Sequence, residues 1–299
     1  MTAPVLHIRA VSAMTPGWMG VNGGIPAAPV PDMGTWFDAT AHLGRKGHRY
    51  LSHPTKYALA AAQRIGDAIR GGADAALYLG TGSADTEHRR QIVRGLNGCP
   101  DVLPGAASAP SASVNGPAGT LARIFGITGP VMTLTGGDDS ALICLWQAAT
   151  AMARGDVGAC VIGQVEHVPG SADGAVLWSL DLEHGDSAVA EIVFDGWSRL
   201  QGDADTALLR EIAAIAGEVT LIAADTPQLR ALIRPLQHAR CAFEFMPAST
   251  LSDVLIADMH LFSLLTLAIL NGTGGSILIL SGNGHLFKLS CKPRGLNNA

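Results

Sequence analysis

Residues 131–149, VMTLTGGDDSALICLWQAA, place in one stretch an apolar strand, a Gly-Gly-Asp-Asp turn and a helix whose apolar face begins at once. Around this elbow, apolar strand-like runs alternate with helical patterns along most of the chain. A chain patterned in that way folds as sheets covered by helices, so the sequence reads as α/β.

VLHIRAVSAM (5–14) reads as a first strand, and the Gly- and Pro-rich MGVNGGIPAAPVPDMG after it as an irregular excursion. A helix is expected over 53–72, with Pro54 suited to its first turn and glycines to its end. AALYLGTGS (75–83) is a buried strand running into a glycine turn, and 85–96 a polar helix. The stretch 99–119, with four prolines, reads as a loop of a length that is usually functional. Helix (LARIF), strand (VMTLT), helix (SALICLWQAATAMARG) and strand (VGACVIGQV) follow, and a strand over 188–194 ends the first half. The second half repeats the alternation more briefly: strand 218–224, helix Gln228–Leu236, strand 241–246, helix Val254–Leu270 and a hairpin over 276–290 turned by Gly-Asn-Gly. Two βα halves of unequal length, 1–196 and 197–299, are thus expected to form one body without a linker.

With 48% hydrophobic and 15% charged residues, the 299-residue chain can bury a large core. Mean hydropathy is +0.27, yet no run reaches the roughly 18 to 20 apolar residues of a spanning helix. Leu251–Leu270 comes closest, interrupted by Ser252, Asp253, Asp258 and His260, and reads as a buried helix, so no membrane partner is expected. The net charge of −5 and the lack of a Lys/Arg-rich run argue against nucleic acid as a partner. Five scattered cysteines without a CxxC pair or metal-ligand spacing, and an N-terminus without a signal-peptide pattern, suit the cytoplasm. Neither a cofactor nor a metal is implied.

The stretch ASVNGPAGTLARIFGITGPVMTLTGGDDSALICLWQAATAMARGDVGACVIGQVE (112–166) resembles the central part of a β-ketoacyl synthase of the thiolase superfamily. Asn115 and Ala118-Gly119 open the helix before Gly129-Pro130, a strand leads to a glycine turn, and the next helix ends in Ala-Arg-Gly-Asp before CVIGQVE. KYALAAAQRIGDAI, LGTGS and NGTGGSILIL resemble the family's early helix, next strand and closing glycine turn. The resemblance implies a thiolase-like fold, with sheets layered between helices and a shortened second half.

In that family a Cys at the strand–helix turn takes the acyl chain as a thioester, its thiolate stabilised by the helix dipole. Two histidines assist decarboxylation of the extender unit. Aligned from Gly129-Pro130, the Cys position is Asp138. The first His position falls on Ala224 or Asp225, and the second on Asp253. An aspartate cannot stand in for the thiol, because a carboxylate is a poor acyl acceptor and its mixed anhydride is a high-energy species. The resemblance therefore implies a chain without catalytic residues: a chain length factor of a type II polyketide synthase, of a branch such as the polyene-forming systems. Its partners would be a catalytic ketosynthase, in a heterodimer, and an acyl carrier protein-bound polyketide chain. Tunnel-gating side chains carried over from such factors fall on Ala84, Glu87 and Gln91, one face of a helix by their i, i+3, i+7 spacing. The strand 131–135 would lie at the dimer axis. The alternatives are a divergent acyltransferase or thioesterase using carboxylates as general bases, and a homodimeric scaffold without a tunnel.

Plainer roles stand beside these. Asp138 and Asp139 suit a helix N-cap, and their rival role, an Asp-Asp metal site, lacks a third ligand. Gly80, Gly82 and Ser83 resemble a phosphate loop only weakly, without its lysine. Leu142, Leu145, Trp146, Ala149 and Met152 read as core, Cys144 as a buried thiol and His260 as a core or interface residue.

Overall fold

The computed structural model describes residues 3–16, 18–22, 36–82, 89–90, 93–95, 97–98, 113–168, 174–183, 188–200, 204–215, 217–223, 227, 229–231, 233–234, 243–247 and 257–294. Its strands are β1 (Val5–Thr15), β2 (Trp18–Val21), β3 (Ala75–Thr81), β4 (Val131–Thr135), β5 (Ala159–Glu166), β6 (Gly174–Asp181), β7 (Ala190–Arg199), β8 (Val219–Ala223), β9 (Phe243–Pro247), β10 (Gly275–Leu280) and β11 (His285–Pro293). The helices are α1 (Ala39–Leu43), α2 (His53–Arg64), α3 (Gly116–Phe125), α4 (Ser140–Ala153), α5 (Ala204–Ala214) and α6 (Ala257–Leu270).

The strands hydrogen-bond in the order β4-β3-β5-β6-β1-β7-β11-β10-β8-β9, with β2 on β1. The order reads as one motif written twice. In the first half β4, β3 and β5 run parallel, and β6 and β1 continue antiparallel. In the second, β9, β8 and β10 run parallel, and β11 and β7 continue antiparallel. The halves meet where β1 and β7 pair antiparallel, Val5 opposite Val193 and Ile8 opposite Ala190. The strand read as closing the first half thus holds in the second half the place that β1 holds in the first.

Helices fill three layers around this sheet. Helices α4 and α6 form the middle one: Leu142, Leu145 and Ala148 of α4, and Phe262, Leu265 and Ile269 of α6, share one buried cluster with Ile162 and Trp178 of the first half and Ile222, Ile279 and Phe287 of the second. Trp178 meets Phe262 at 4.6 Å between ring centroids, and its indole N–H donates to Thr266 Oγ1 at 2.9 Å. Such a ring pair contributes roughly 0.5–1.5 kcal/mol beyond its buried area. On the outer face of the first half, α2 and α3 pack through Tyr57, Ala58, Ala61, Leu121 and Ala122. Leu208 and Ile212 of α5 cover the second half against Leu221 and Leu278.

Helix α2 begins as expected, with Pro54 in its first turn after Ser52, but ends at Arg64 and passes into a 3₁₀ turn over 66–68 rather than reaching residue 72. Helices α1 and α5 and strands β2 and β6 are further elements, and α3 begins at Gly116, within the stretch expected as a loop to residue 119. Every residue of β6 is buried, because it lies in mid-sheet between two helix layers. No helix among the described residues is long and apolar enough to cross a membrane.

Candidate functional site

The elbow between β4 and α4 is built by two glycines with different tasks. Gly137 has φ +86°, a left-handed conformation that a side chain strains against. Gly80 of β3 lies beneath the start of α4: a Cβ there would stand 2.4 Å from the Ala141 backbone nitrogen and 2.6 Å from the Ser140 carbonyl carbon. The helix N-terminus is pressed onto the strand, and only hydrogen fits between them.

A buried polar web holds this contact. The Ala141 N–H donates to Gln164 Oε1 at 3.0 Å, and Gln164 Nε2 donates to Glu166 Oε1 at 2.7 Å. The Glu166 carboxylate also receives the Gly82 N–H and, at 3.2 Å, the Thr81 hydroxyl. Ser140 Oγ donates to the Gly137 carbonyl at 2.9 Å and the Thr81 carbonyl at 3.2 Å. Gln164 and Glu166 are wholly buried, and a buried carboxylate is tolerable only with donors of this kind around it. The same carboxylate occupies the turn that resembles a phosphate loop: the Gly82 N–H that would face a phosphate already faces Glu166.

The other side of the elbow is covered by the second half. The turn between β10 and β11 places the Gly282 N–H 2.9 Å from Asp138 Oδ2 and Asn283 Nδ2 3.2 Å from the Gly136 carbonyl. Asp139, 1% exposed, accepts on Oδ2 from His285 Nδ1 at 2.6 Å and from Ser281 Oγ at 3.2 Å, and Ser281 Oγ in turn accepts the His285 N–H at 3.2 Å. An ionised carboxylate only accepts, so the imidazole carries its proton on Nδ1. Asp139 does stand at the N-cap position of α4, yet its side chain caps none of the helix's own N–H groups. Both carboxylates bond the hairpin instead, while the Ala141 N–H at the helix start is served by Gln164.

Cys144 lies inside α4, fully buried, and burial pushes its thiol well above the ordinary range. Leu142, Leu145, Ala149 and Met152 are core, with Trp146 half-buried against them. Asn115 precedes α3 and accepts on its side chain from Thr133 Oγ1 at 2.8 Å, linking that helix to β4. Ala84, Glu87, Gln91, Ala224, Asp225 and Asp253, with Ser83 and the His260 side chain, lie outside the described residues. Among the described residues no group of three or more His, Cys, Asp or Glu is placed to hold a metal ion. A pocket lined by Ser52, Pro54, Leu79, Thr81, Val114 and Thr133 opens on the outer face of the first half, at the ends of β3 and β4.

His285 and Ser281 are the residues that sequence reading misses. The Gly-Asn-Gly turn announces a hairpin, but nothing local says that the hairpin folds back onto an elbow some 140 residues earlier.

Residues 41–181 match the family model of the β-ketoacyl synthase N-terminal domain. No curated protein sequence matches the chain. Among solved structures, the ishigamide ketosynthase/chain length factor is similar with a TM-score of 0.68 at 20% identity, covering 97% of this chain and 100% of that one. A type II polyketide synthase acyl-carrier protein in complex with its ketosynthase bound to the hexaketide gives 0.74 at 15% identity, covering 98% and 100%. The duplicated five-strand motif and the helix layer between its halves are thus the thiolase-like fold of these ketosynthase structures, and residues 41–181, the elbow among them, carry the likeness to a β-ketoacyl synthase N-terminal domain.

Proposed function

We propose that the chain is a chain length factor: a subunit that pairs with a catalytic ketosynthase, shapes the tunnel for a carrier-bound polyketide chain and leaves carbon–carbon bond formation to its partner. The observation that carries this reading is the state of the elbow. Its backbone has the form that presents a nucleophile, but the crest residue is Asp138, whose carboxylate is taken up by the Gly282 N–H. A carboxylate so placed accepts a hydrogen bond and takes no acyl chain. Neither solved neighbour's described partnership transfers by itself, but both are consistent with a subunit that works beside a ketosynthase and an acyl carrier protein.

Strand β4 supports the pairing. Among the described residues it is the edge of the sheet, none of its residues is fully buried, and Met132 on it and Ile124 on the neighbouring α3 are 40% and 45% exposed. An open strand edge beside exposed apolar side chains is a surface that a partner covers. On this reading Ala84, Glu87 and Gln91 gate the tunnel, Asp138, Ala224 and Asp253 are relics of catalytic positions, residues 1–299 act as one body, and the complex works in the cytoplasm without a cofactor.

Co-expression with a ketosynthase that has its Cys and both His residues tests the proposal. A stable one-to-one complex that makes chains of a defined length, where neither subunit alone does, is expected. A chain that purifies as a monomer and leaves the ketosynthase's products unchanged would end it.

A further inference from the structure

The geometry points to a general-base site at His285, oriented by Asp139, that hydrolyses acyl thioesters. The pieces are those of a histidine made ready for proton transfer. A buried carboxylate holds Nδ1–H at 2.6 Å, which fixes the tautomer and leaves the basic lone pair on Nε2. Ser281 steadies the carboxylate with its hydroxyl. The ring of Trp197 packs edge-on at 4.9 Å between centroids and Phe287 stands at 6.3 Å, so the imidazole is fixed in plane as well as in protonation. Among the described residues Nε2 has no hydrogen-bond partner, and the His285 side chain is 21% exposed.

The position matters as much as the state. Asp139 follows Asp138, the crest of the elbow, and Asn283 of the same hairpin bonds the Gly136 carbonyl, so the imidazole stands beside the strand–helix turn. A purely structural latch needs Nδ1–H on the carboxylate and gains nothing from an accessible Nε2.

In the reaction, Nε2 takes a proton from water as the water oxygen bonds to the thioester carbonyl carbon. The tetrahedral intermediate then collapses, the C–S bond breaks, and the departing thiolate takes the proton back from the imidazolium. The products are a carboxylic acid and a thiol, and no redox partner is needed. Such an activity would clear stalled chains from a carrier. The choice of acyl thioester as substrate rests on the proposed place of the chain beside a carrier-bound acyl group; the Asp139–His285 pair does not.

The test is thiol release from hexanoyl-N-acetylcysteamine by the full chain, alone and with a ketosynthase whose nucleophilic Cys is replaced by Ala. The wild type is expected to exceed an equal concentration of free imidazole, with a rate that rises through one ionisation to a plateau. His285→Ala should lose about 10²–10⁴-fold and regain part of the rate on addition of imidazole. Asp139→Asn, which lets the amide favour the wrong tautomer, should lower the plateau and move the pH profile, an effect that lost packing alone does not give. His285→Gln serves if the alanine variant does not fold. Wild-type release no faster than free imidazole, or a folded His285 variant that keeps the wild-type rate, would refute the site. Pairing is read separately by co-purification, so loss of the chain length factor reading leaves this outcome standing.

Discussion

The Gly282 N–H reaches across 144 residues of sequence to Asp138 Oδ2, at 2.9 Å, and so ties the crest of the first half's elbow to the second half's hairpin. On the proposed reading, a crest carboxylate bonded to backbone has no part in meeting an acyl chain. Asp138→Ala is therefore expected to cost only the bond, about 0.5–1.5 kcal/mol, seen as a fall of a few degrees in Tm. A complex with the ketosynthase partner proposed above should make the same products at a rate within about twofold, since an interaction outside the reacting centre contributes nothing to transition-state binding. Loss of product formation by a folded Asp138→Ala complex would return the crest to the chemistry.

The converse substitution asks whether the elbow alone suffices. Asp138→Cys puts a thiol at a helix N-terminus, where the dipole favours the thiolate. The variant is expected to react with iodoacetamide yet to give no condensation, because on the proposed reading the second-half catalytic positions fall on Ala224 or Asp225 and Asp253 rather than on histidine. Condensation by the isolated Asp138→Cys chain would show that another residue assists decarboxylation.

Much of this fold is written locally. Strands 5–15, 75–81 and 131–135 and helix α4 carry their periodicity in consecutive residues, and the Gly-Asn-Gly hairpin carries its own turn chemistry. Strand β6 is illegible for a physical reason: buried on both faces, GAVLWSLD shows no alternation, and its place is given by antiparallel partners on β5 and β1. Helix α2 stops at Arg64 although its pattern runs on, because the chain must turn toward β3. At the site, the place of Asp138 in the strand–helix turn is legible from the local pattern. What Asp138 and Asp139 bind is not, since their partners are set by the packing of two halves. An aspartate at a helix start suggests capping; tertiary donors of opposite demand override that preference.

Gly80 sets how closely α4 lies on β3. A methyl group there would stand 2.4 Å from the Ala141 nitrogen and 2.6 Å from the Ser140 carbonyl carbon, both main-chain atoms that cannot rotate away. Gly80→Ala should cost about 1–3 kcal/mol through overpacking and displace the web from Gln164 to Glu166. A denaturant midpoint lowered without a change of slope is the expected result, and an unchanged midpoint would mean that the helix start has room to lift.

The buried thiols offer a check on the core. Cys144 on α4 and Cys160 on β5 are buried in the central cluster, and desolvation pushes both thiols far up; Cys291 on β11 is pushed up to about 12 for the same reason. None of the three should react with a disulfide reagent at pH 8 in the native state, and all three should react at once in guanidinium. Peptide mapping of the labelled sites gives the answer, and native labelling of Cys144 would contradict the packing of α4.

The pairing of Arg294 with Glu191 predicts a pH-dependent anchor for the end of β11. The Arg294 guanidinium bonds the Glu191 carboxylate and holds its pKa below the ordinary value of 4.5, against a smaller opposing effect of burial. A carboxylate with a lowered folded pKa favours the folded state at pH values above its unfolded pKa, and that contribution is lost as the pH falls through the folded value. The Tm gap between wild type and Glu191→Gln should thus be constant from pH 7 down to about 5 and close as the pH drops below 4.5. High salt should narrow the gap at neutral pH, because the pair is partly exposed and screened. A gap that widens toward acid would mean that the carboxylate is held by burial rather than by the arginine.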